Sequence, residues 1–314
     1  MELYARVGNG VFSSGGAPQS VFATFGVEAE RLATLTWVMV GGAVVIALAV
    51  AAMFVLAIRA KEGSLTHRGG MRLLLWAGGV VPTIVLFTLL VATLPQMRPI
   101  RAEPGDLRIA VQGEQFWWRV RYQPSGAPDV VAANEVRVPV GRTVVFSLTA
   151  GDVLHSFWIP GLAGKVDMVP GRANALVVRA TKAGRYRGQC AEFCGLSHAL
   201  MAFDVVAMEP AAFEAWLAAQ RRDAAADDAT FAAYGCGGCH AVRGTAHGGA
   251  IGPDLTHIAT RPTLGAGMQA ITPANLVRFV RDAPSVKPGA RMPAYPQMTD
   301  AEAIRIARYL ETLK

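Results

Sequence analysis

The chain has 314 residues, of which 52% are hydrophobic and only 17% are charged, with a formal net charge of +7. This composition excludes a single soluble globule, because the apolar excess is concentrated in two uncharged runs rather than spread along the chain. The basic residues are scattered and form no stripe interleaved with aromatic side chains, which argues against nucleic-acid binding.

The two uncharged runs, residues 32–58 and 73–97, predict a transmembrane hairpin within residues 31–98. Each run exceeds the roughly 20 apolar residues that cross a bilayer. The loop between them contains four basic residues and one acid: Arg59, Lys61, Arg68, Arg72 and Glu62. Because short basic loops stay in the cytoplasm, we expect both termini on the outer side. Residues 1–30 are then an exported segment, and the first span serves as the export signal.

Short β-prone runs begin near residue 105. They are residues 107–111, 116–122, 135–139, 143–149, 175–179 and 202–207. Strands of this length and spacing indicate a β-sandwich or barrel, which we place at residues 105–209. Residues 210–220 are predicted to form a helix, and residues up to 228 a linker.

Residues 229–314 show helical patterning interrupted by glycine and proline. One helix is predicted at residues 272–282, with Thr272 as N-cap. A second is predicted at residues 299–313, where Thr299 is the N-cap and Glu302 stands at the capping-box position.

The loop of residues 190–201 concentrates soft metal ligands. Its two thiols, imidazole and thioether belong to Cys190, Cys194, His198 and Met201. Soft ligands favour copper, and two thiolates four residues apart can bridge two metal ions. His155 is the only other histidine in the predicted β-domain, so it is the expected second imidazole.

Two other interpretations of this loop are open. A disulfide between Cys190 and Cys194 leaves the two histidines and Met201 without a role. A structural zinc site of two cysteines and two histidines fits the count of ligands but also gives Met201 no part. Met201 by itself would be interpreted as a core methionine.

Residues 236–240 read Cys-Gly-Gly-Cys-His, the attachment pattern of a covalent haem. The thiols of Cys236 and Cys239 would bond to the porphyrin and His240 would bind the iron. The alternative is a thioredoxin-like redox pair, but no strand pattern of a βαβ unit precedes the motif.

Met292, between the two predicted helices, is the expected sixth ligand of the haem iron. A thioether opposite histidine raises the reduction potential, which suits electron transfer. The competing residues are Met268, Met298 and His257.

The metal-ligand loop resembles the binuclear copper loop, copper A, of subunit II of cytochrome c oxidase, and the resemblance extends from the hairpin to about residue 209. It implies an all-β cupredoxin-like fold and two copper ions bridged by Cys190 and Cys194. The implied ligands are His155, Cys190, Glu192, Cys194, His198 and Met201, with Glu192 binding through its backbone carbonyl. The carboxylate that matches Glu192 also reaches a magnesium or manganese ion at the boundary with subunit I in that family.

Two further segments resemble this family. Residues 164–172 are similar to the segment that faces subunit I, although alone they would be interpreted as a turn with solvated charges. Phe116, Trp117 and Trp118 form a candidate electron path, or else a set of half-buried strand aromatics. Phe116 stands where many members have the tryptophan that receives electrons from a docked soluble cytochrome, which weakens the expectation of such docking here.

Residues 229–314 resemble the all-α class I cytochrome c domains. Residues 252–255 are similar to the proximal loop of these domains, which implies that Pro253 packs near His240. We expect His247 and His257 to be ordinary loop histidines.

Together the resemblances imply a multi-domain membrane protein, subunit II of a caa3-like haem-copper oxidase with a fused cytochrome c domain. Electrons would pass from a donor through haem c to copper A and on to the haem of subunit I. Oxygen would be reduced to water there, with proton pumping, so this chain would hold no catalytic residue.

The implied partners are subunit I and subunit III, membrane lipid, and a donor such as a cytochrome c or another respiratory complex, and not nucleic acid. The implied location is the bacterial inner membrane, with two spans and both cofactor domains on the periplasmic side.

Two other functions are considered. One is a membrane-anchored copper and haem c module of another terminal reductase, such as one for nitrogen oxides. The other is a non-redox assembly subunit, similar to quinol oxidase relatives that keep the hairpin and sandwich but lack copper ligands. The complete ligand set argues against the second.

Overall fold

The computed structural model describes residues 19–124 and 126–314. Two compact units are present: Glu30–Ile100 is one, and the sequence on either side of it forms the other. Most of the predicted N-terminal exported segment, residues 1–18, lies outside the described residues.

The unit Glu30–Ile100 contains most of helix α1 (Val27–Arg59) and all of helix α2 (His67–Met97), and each helix is long and apolar enough to cross a membrane. Both continue beyond the predicted uncharged runs. The hydroxyl of Thr66 caps α2 by accepting a hydrogen bond from the amide of Gly69. A wider π turn at Trp76–Val80 precedes Pro82, because proline removes one helical hydrogen bond and crowds the turn before it.

The second unit contains a β-sandwich of two five-stranded sheets, as predicted. Its strands are β1 (Leu107–Glu114), β2 (Trp117–Gln123), β3 (Val130–Ala133), β4 (Glu135–Pro139), β5 (Thr143–Ala150), β6 (His155–Trp158), β7 (Val166–Met168), β8 (Asn174–Arg179), β9 (Gly184–Cys190) and β10 (Ala202–Met208). One sheet has the order β3-β2-β1-β5-β8, and the other has the order β4-β10-β9-β6-β7. All six predicted runs form strands, whereas the sequence pattern missed β3, β6, β7 and β9.

An aromatic cluster forms the centre of the sandwich core. Trp118 packs edge-on against Phe203 with ring centroids 5.0 Å apart, and Phe157 stacks on Phe203 at 4.8 Å. Trp118 is fully buried rather than half-buried. Phe116 is also buried, but it lies in the β1–β2 turn and not in a strand, since Glu114 pairs with Trp117 and leaves a two-residue connection.

Residues before α1 also contribute to the sandwich core. Phe25 is fully buried and stacks on Tyr186 with ring centroids 3.4 Å apart. Its amide donates to the carbonyl of Gly161, and its carbonyl accepts from the amide of Thr181. The sequence around Phe25 is rich in Gly and Ser and shows no periodic pattern of apolar residues. The sequence therefore did not predict this contact.

The C-terminal part is mainly helical and has its own hydrophobic core. Its elements, with the helix that follows β10, are α3 (Pro210–Ala219), α4 (Ala229–Ala233), α5 (Pro273–Arg281), α6 (Ala283–Val286), α7 (Asp300–Thr312) and the short strands β11 (Ala241–Val242), β12 (His247–Gly248), β13 (Thr263–Leu264) and β14 (Gln269–Ala270). Thr272 and Thr299 cap α5 and α7, and Glu302 completes the predicted capping box.

Candidate metal and haem sites

The candidate copper ligands meet at one end of the sandwich. His155 begins β6 and Cys190 ends β9, and these two strands pair through Phe157 and Cys190. The chain between β9 and β10, residues 191–201, supplies the other ligands. We call residues 190–201 the copper loop. Strand pairing therefore brings a histidine 35 residues earlier in the chain beside the copper loop.

All six candidate copper ligands lie together. The sulfur of Cys190 is 3.8 Å from Nδ1 of His155, 3.2 Å from the carbonyl oxygen of Glu192 and 3.9 Å from the sulfur of Cys194. The sulfur of Cys194 is 3.6 Å from Nδ1 of His198 and 3.7 Å from Sδ of Met201. Both thiols are free, and their separation is well beyond the roughly 2 Å of a disulfide bond.

Hydrogen bonds control the protonation of the paired thiols. The hydrogen bond with Cys194 lowers the pKa of Cys190 against the opposing effect of burial, and His155 acts in the same direction. The pKa of Cys194 is raised because it shares this hydrogen bond with its neighbour. Cys190 therefore loses its proton readily, and the resulting thiolate is the form that binds a metal.

Asp152 orients His155. Its carboxylate lies 2.9 Å from Nε2 of the histidine and accepts hydrogen bonds from the amides of Gln115 and Val153. Burial tends to raise the pKa of Asp152, but the bonds from His155 and the amides outweigh it and hold the pKa below its usual value. With Nε2 engaged, Nδ1 faces the thiols, which is the arrangement of a carboxylate–histidine–metal site.

This donor set fits copper better than the alternatives. Two thiols, two imidazoles and a thioether surround the same small volume, and soft sulfur ligands favour copper. A four-ligand zinc site leaves the contact between Met201 and Cys194 unexplained.

An apolar cavity in the C-terminal part contains the candidate haem ligands. Cys236, Cys239, His240 and Met292 all line it. Nδ1 of His240 lies 2.8 Å from the carbonyl oxygen of Pro253, so Pro253 is beside His240 as expected. Burial lowers the pKa of His240, which favours the neutral ring that binds iron through Nε2. An apolar cavity with two thiols and an oriented imidazole fits a covalent haem.

Among the described residues, Met292 is the only candidate sixth ligand that lines this cavity. Met268 and Met298 are buried elsewhere. Nε2 of His257 is within 3.1 Å of the carbonyl oxygens of Gln220 and Arg222. His247 lies 2.7 Å from Asp227, so both histidines have structural partners.

The sandwich also contributes to the cavity wall, which sequence reasoning missed. Gln115, Phe116, Trp117 and Asn134 line the cavity together with the haem-attachment residues. Trp118 points elsewhere, into the sandwich core, with its ring 6.3 Å from that of His155. The predicted electron-path residues thus divide into two that line the cavity and one, Trp118, whose ring lies near that of the candidate copper ligand His155.

The segment expected to face subunit I is partly a strand. Val166–Met168 forms β7, which pairs with β6, and exposed Lys165 and Asp167 form an ion pair at 2.9 Å. Among the described residues, the one group of three or more close metal-binding side chains is His155, Cys190 and Cys194. Glu192 does not belong to this group.

Comparison with known proteins identifies the family. Residues 123–208 match the periplasmic domain of cytochrome c oxidase subunit II, and residues 225–314 match cytochrome c. The chain is 39% identical over 250 residues to cytochrome c oxidase subunit 2 of Alkalihalophilus pseudofirmus, covering 75% of this chain and 71% of the relative. It is 33% identical over 254 residues to cytochrome c oxidase subunit 2 of Bacillus subtilis, covering 75% and 70%.

A solved structure of the periplasmic domain of subunit II from Bradyrhizobium japonicum is 31% identical, covering 38% of this chain and 97% of that domain, with a TM-score of 0.35. The sequence matches define the class of protein as a subunit of a cytochrome oxidase. The chain belongs to the cytochrome c oxidase subunit II family and also has a C-terminal cytochrome c domain. The predicted fold class and enzyme class are confirmed.

Proposed function

We propose that this chain conducts electrons from a donor, through one covalent haem c and a binuclear copper A site, to the haem of subunit I. Oxygen is reduced to water there and protons are pumped. The observation that carries the proposal is the convergence of two thiols, two imidazoles and a thioether, with successive contacts of 3.6–3.9 Å.

The chain's own residues would hold the copper pair as follows. Cys190 and Cys194 share negative charge between two ions, His155 and His198 bind one ion each, and Met201 and the carbonyl of Glu192 are the weak ligands. Bound copper supplies one-electron transfer with little rearrangement of its ligands. Asp152 keeps Nδ1 of His155 aimed at the thiols, and burial of both cysteines keeps water away.

In the C-terminal domain, Cys236 and Cys239 would attach the haem, and His240 and Met292 would bind its iron, which would supply one-electron transfer. The carbonyl of Pro253 fixes the tautomer of His240 by accepting a hydrogen bond from its Nδ1–H. The support for this set is that all four side chains line one apolar cavity.

The proposed domain limits are residues 31–98 for the hairpin, 105–209 for the copper domain, 210–228 for the helix and linker, and 229–314 for the haem domain. The two apolar helices and the match to a periplasmic domain fit an inner-membrane protein. We place both termini and both cofactor sites on the periplasmic side. The proposed partners are subunits I and III, lipid and an external donor, and Glu192 would contribute to a magnesium or manganese site facing subunit I.

Metal analysis with EPR and visible spectroscopy on the full chain, made in a host that attaches haem c, tests the proposal. We expect two coppers that share one unpaired electron, and one covalent low-spin haem. A single zinc, or no metal beside the haem, would contradict the copper assignment. Purification with a reductase other than an oxygen-reducing haem-copper protein would support the alternative electron-transfer module.

A further inference from the structure

A short segment of the haem domain sits directly on the copper loop. We call residues 287–289 the seat segment. Nζ of Lys287 donates to the carbonyl of Leu200 at 3.0 Å, and the carbonyl of Pro288 accepts a hydrogen bond from Ser197 Oγ at 2.6 Å. Leu200 and Ser197 both belong to the copper loop and flank its ligands His198 and Met201.

Lys287 is unusual because its amine is buried, with only 4% of the residue's surface exposed. Its second partner is the carbonyl of Gly265 in the haem domain, at 2.7 Å. Among the described residues, no carboxylate forms an ion pair with it at 4 Å or less. Burial lowers the pKa of Lys287 to about 7, although the nearby Cys194 thiol acts in the opposite direction. Since burying an ammonium group is costly, this lysine does not serve solubility or simple packing.

The third residue of the seat segment, Gly289, packs against Phe116. A Cβ built on Gly289 would lie 3.0 Å from the Phe116 ring, and one on Gly195 would lie 3.1 Å from the same ring. Gly195 directly follows Cys194, whose carbonyl accepts a 2.6 Å hydrogen bond from Nε2 of Gln115. The Phe116 ring therefore lies between the copper loop and the seat segment, at the wall of the haem cavity.

Other hydrogen bonds hold the haem domain on the sandwich around the seat segment. Three arginines of the sandwich donate to haem-domain carbonyls: Arg119 to Ala250 at 2.9 Å, Arg137 to Thr260 at 3.3 Å and Arg187 to Gly267 at 2.7 Å. The haem domain is thus seated against the copper domain in addition to being joined to it by a linker.

We propose that the seat segment fixes the haem domain on the copper loop for electron transfer within the chain, with Lys287 as the positioning residue. This inference rests on the proposed function and adds the contact that sets the spacing between its two centres. Met292 follows Gly289 by three residues, so holding the seat segment also holds the cavity wall that carries the sixth ligand. Because the rate of electron transfer falls steeply with distance, a loosened seat slows the internal step.

The test uses the full chain with both cofactors bound. Lys287→Met removes the two hydrogen bonds from the ammonium at similar side-chain length, and Ser197→Ala removes the bond to Pro288 with little change in volume. Lys314→Met, at an exposed position, is the matched control. Haem and copper contents are measured first by absorbance and EPR. The haem is then reduced by an added photosensitiser, which donates one electron to the iron after a light pulse, and the rate of transfer from haem to copper is followed.

We expect Lys287→Met to slow this transfer by about tenfold or more, because loss of the two hydrogen bonds from a charged group lowers the fraction of chains in which the haem domain is seated on the copper loop. Ser197→Ala should slow it less, and Lys314→Met should leave it at the wild-type rate. If Lys287→Met fails to fold, Ser197→Ala decides the test. Slower transfer in that variant would support the role of the seat segment, and transfer at the wild-type rate would overturn it. Wild-type rates in both variants, with both cofactors present, would overturn the inference alone. A wild-type chain that lacks either cofactor would overturn the proposed function and this inference together.

Discussion

The carboxylate of Asp152 lies 2.9 Å from Nε2 of His155, and the opposite ring nitrogen, Nδ1, lies 3.8 Å from the sulfur of Cys190. One side chain therefore determines both the tautomer and the direction of a candidate copper ligand. Asp152 is itself held by the amides of Gln115 and Val153.

Asp152→Asn keeps the side-chain volume but removes the negative charge that orients His155. We expect the affinity for copper to fall by about 10–100-fold, as for other partners of metal-binding histidines. Competition with a copper chelator measures this, and the haem content should not change. Asp129→Asn, which alters an exposed partner of Arg121, is the control. Equal copper affinity in the two variants would show that Asp152 has no part in copper binding.

Cys194→Ser replaces the thiol that contacts Cys190, His198 and Met201. A serine hydroxyl is a hard, weak ligand for copper, so the shared-electron EPR signal of the copper pair should disappear. The covalent haem should remain attached, which makes its absorbance an internal control for folding. Survival of the EPR signal would contradict a bridging role for Cys194.

Met292→Ala should lower the reduction potential of the haem, because the potential falls when thioether ligation is lost. It should also allow carbon monoxide to bind the iron, while the copper EPR signal stays unchanged. Met298→Leu, at a buried position outside the cavity, is a volume-conserving control. A potential that did not move in Met292→Ala would direct attention to Met268, Met298 or His257.

Thr299→Ala should destabilise the haem domain by about 1 kcal/mol, the usual effect of losing an N-cap. The Thr299 hydroxyl accepts a hydrogen bond from the amide of Glu302, and the Glu302 carboxylate accepts bonds from the Thr299 hydroxyl and amide. Denaturant unfolding of the haem-loaded chain measures the change. Thr312→Ala, at the other end of α7, is the control and should have a smaller effect.

The same capping box predicts a pH dependence. Hydrogen bonds from the Thr299 hydroxyl and amide hold the pKa of Glu302 below its usual value. The folded chain therefore binds this proton less readily than the unfolded chain. The stabilisation is complete above the pKa of the unfolded chain and is lost as the pH falls through the folded pKa. In unfolding measurements at several acidic pH values, Glu302→Gln should show a weaker pH dependence than the wild type.

Local spacing explains which parts of the molecule could be predicted. The copper loop and the haem-attachment motif each place their ligands within a few residues, so their chemistry is visible in the sequence. The caps at Thr272 and Thr299 are equally local. In contrast, β9 (Gly184–Cys190) carries Arg185 and Arg187 and ends at a metal-ligand loop, so its pattern did not indicate a strand.

Contacts between distant segments could not be predicted in this way. Phe116 was predicted to be either an electron-path residue or a half-buried strand aromatic, whereas it is buried in the β1–β2 turn and lines the cavity of the C-terminal part. Lys287 bonds to two carbonyls, 87 and 22 residues away in sequence. A main-chain carbonyl is present at every position, so no residue type marks the partner. Only the folded chain shows these pairs.

The hydrogen bonds that Arg119, Arg137, Arg187 and Lys287 donate between the two domains all end on main-chain carbonyls. The donor residues and the acceptor residues therefore differ in how far substitution can change them. Residues on the accepting side keep their carbonyl whatever the side chain, with the exception of Gly267, which has a φ of +80° and where a Cβ would lie 3.1 Å from Arg187. The donors have no such freedom, so substitution of any of these four basic residues, or of Ser197, removes hydrogen bonds between the two domains.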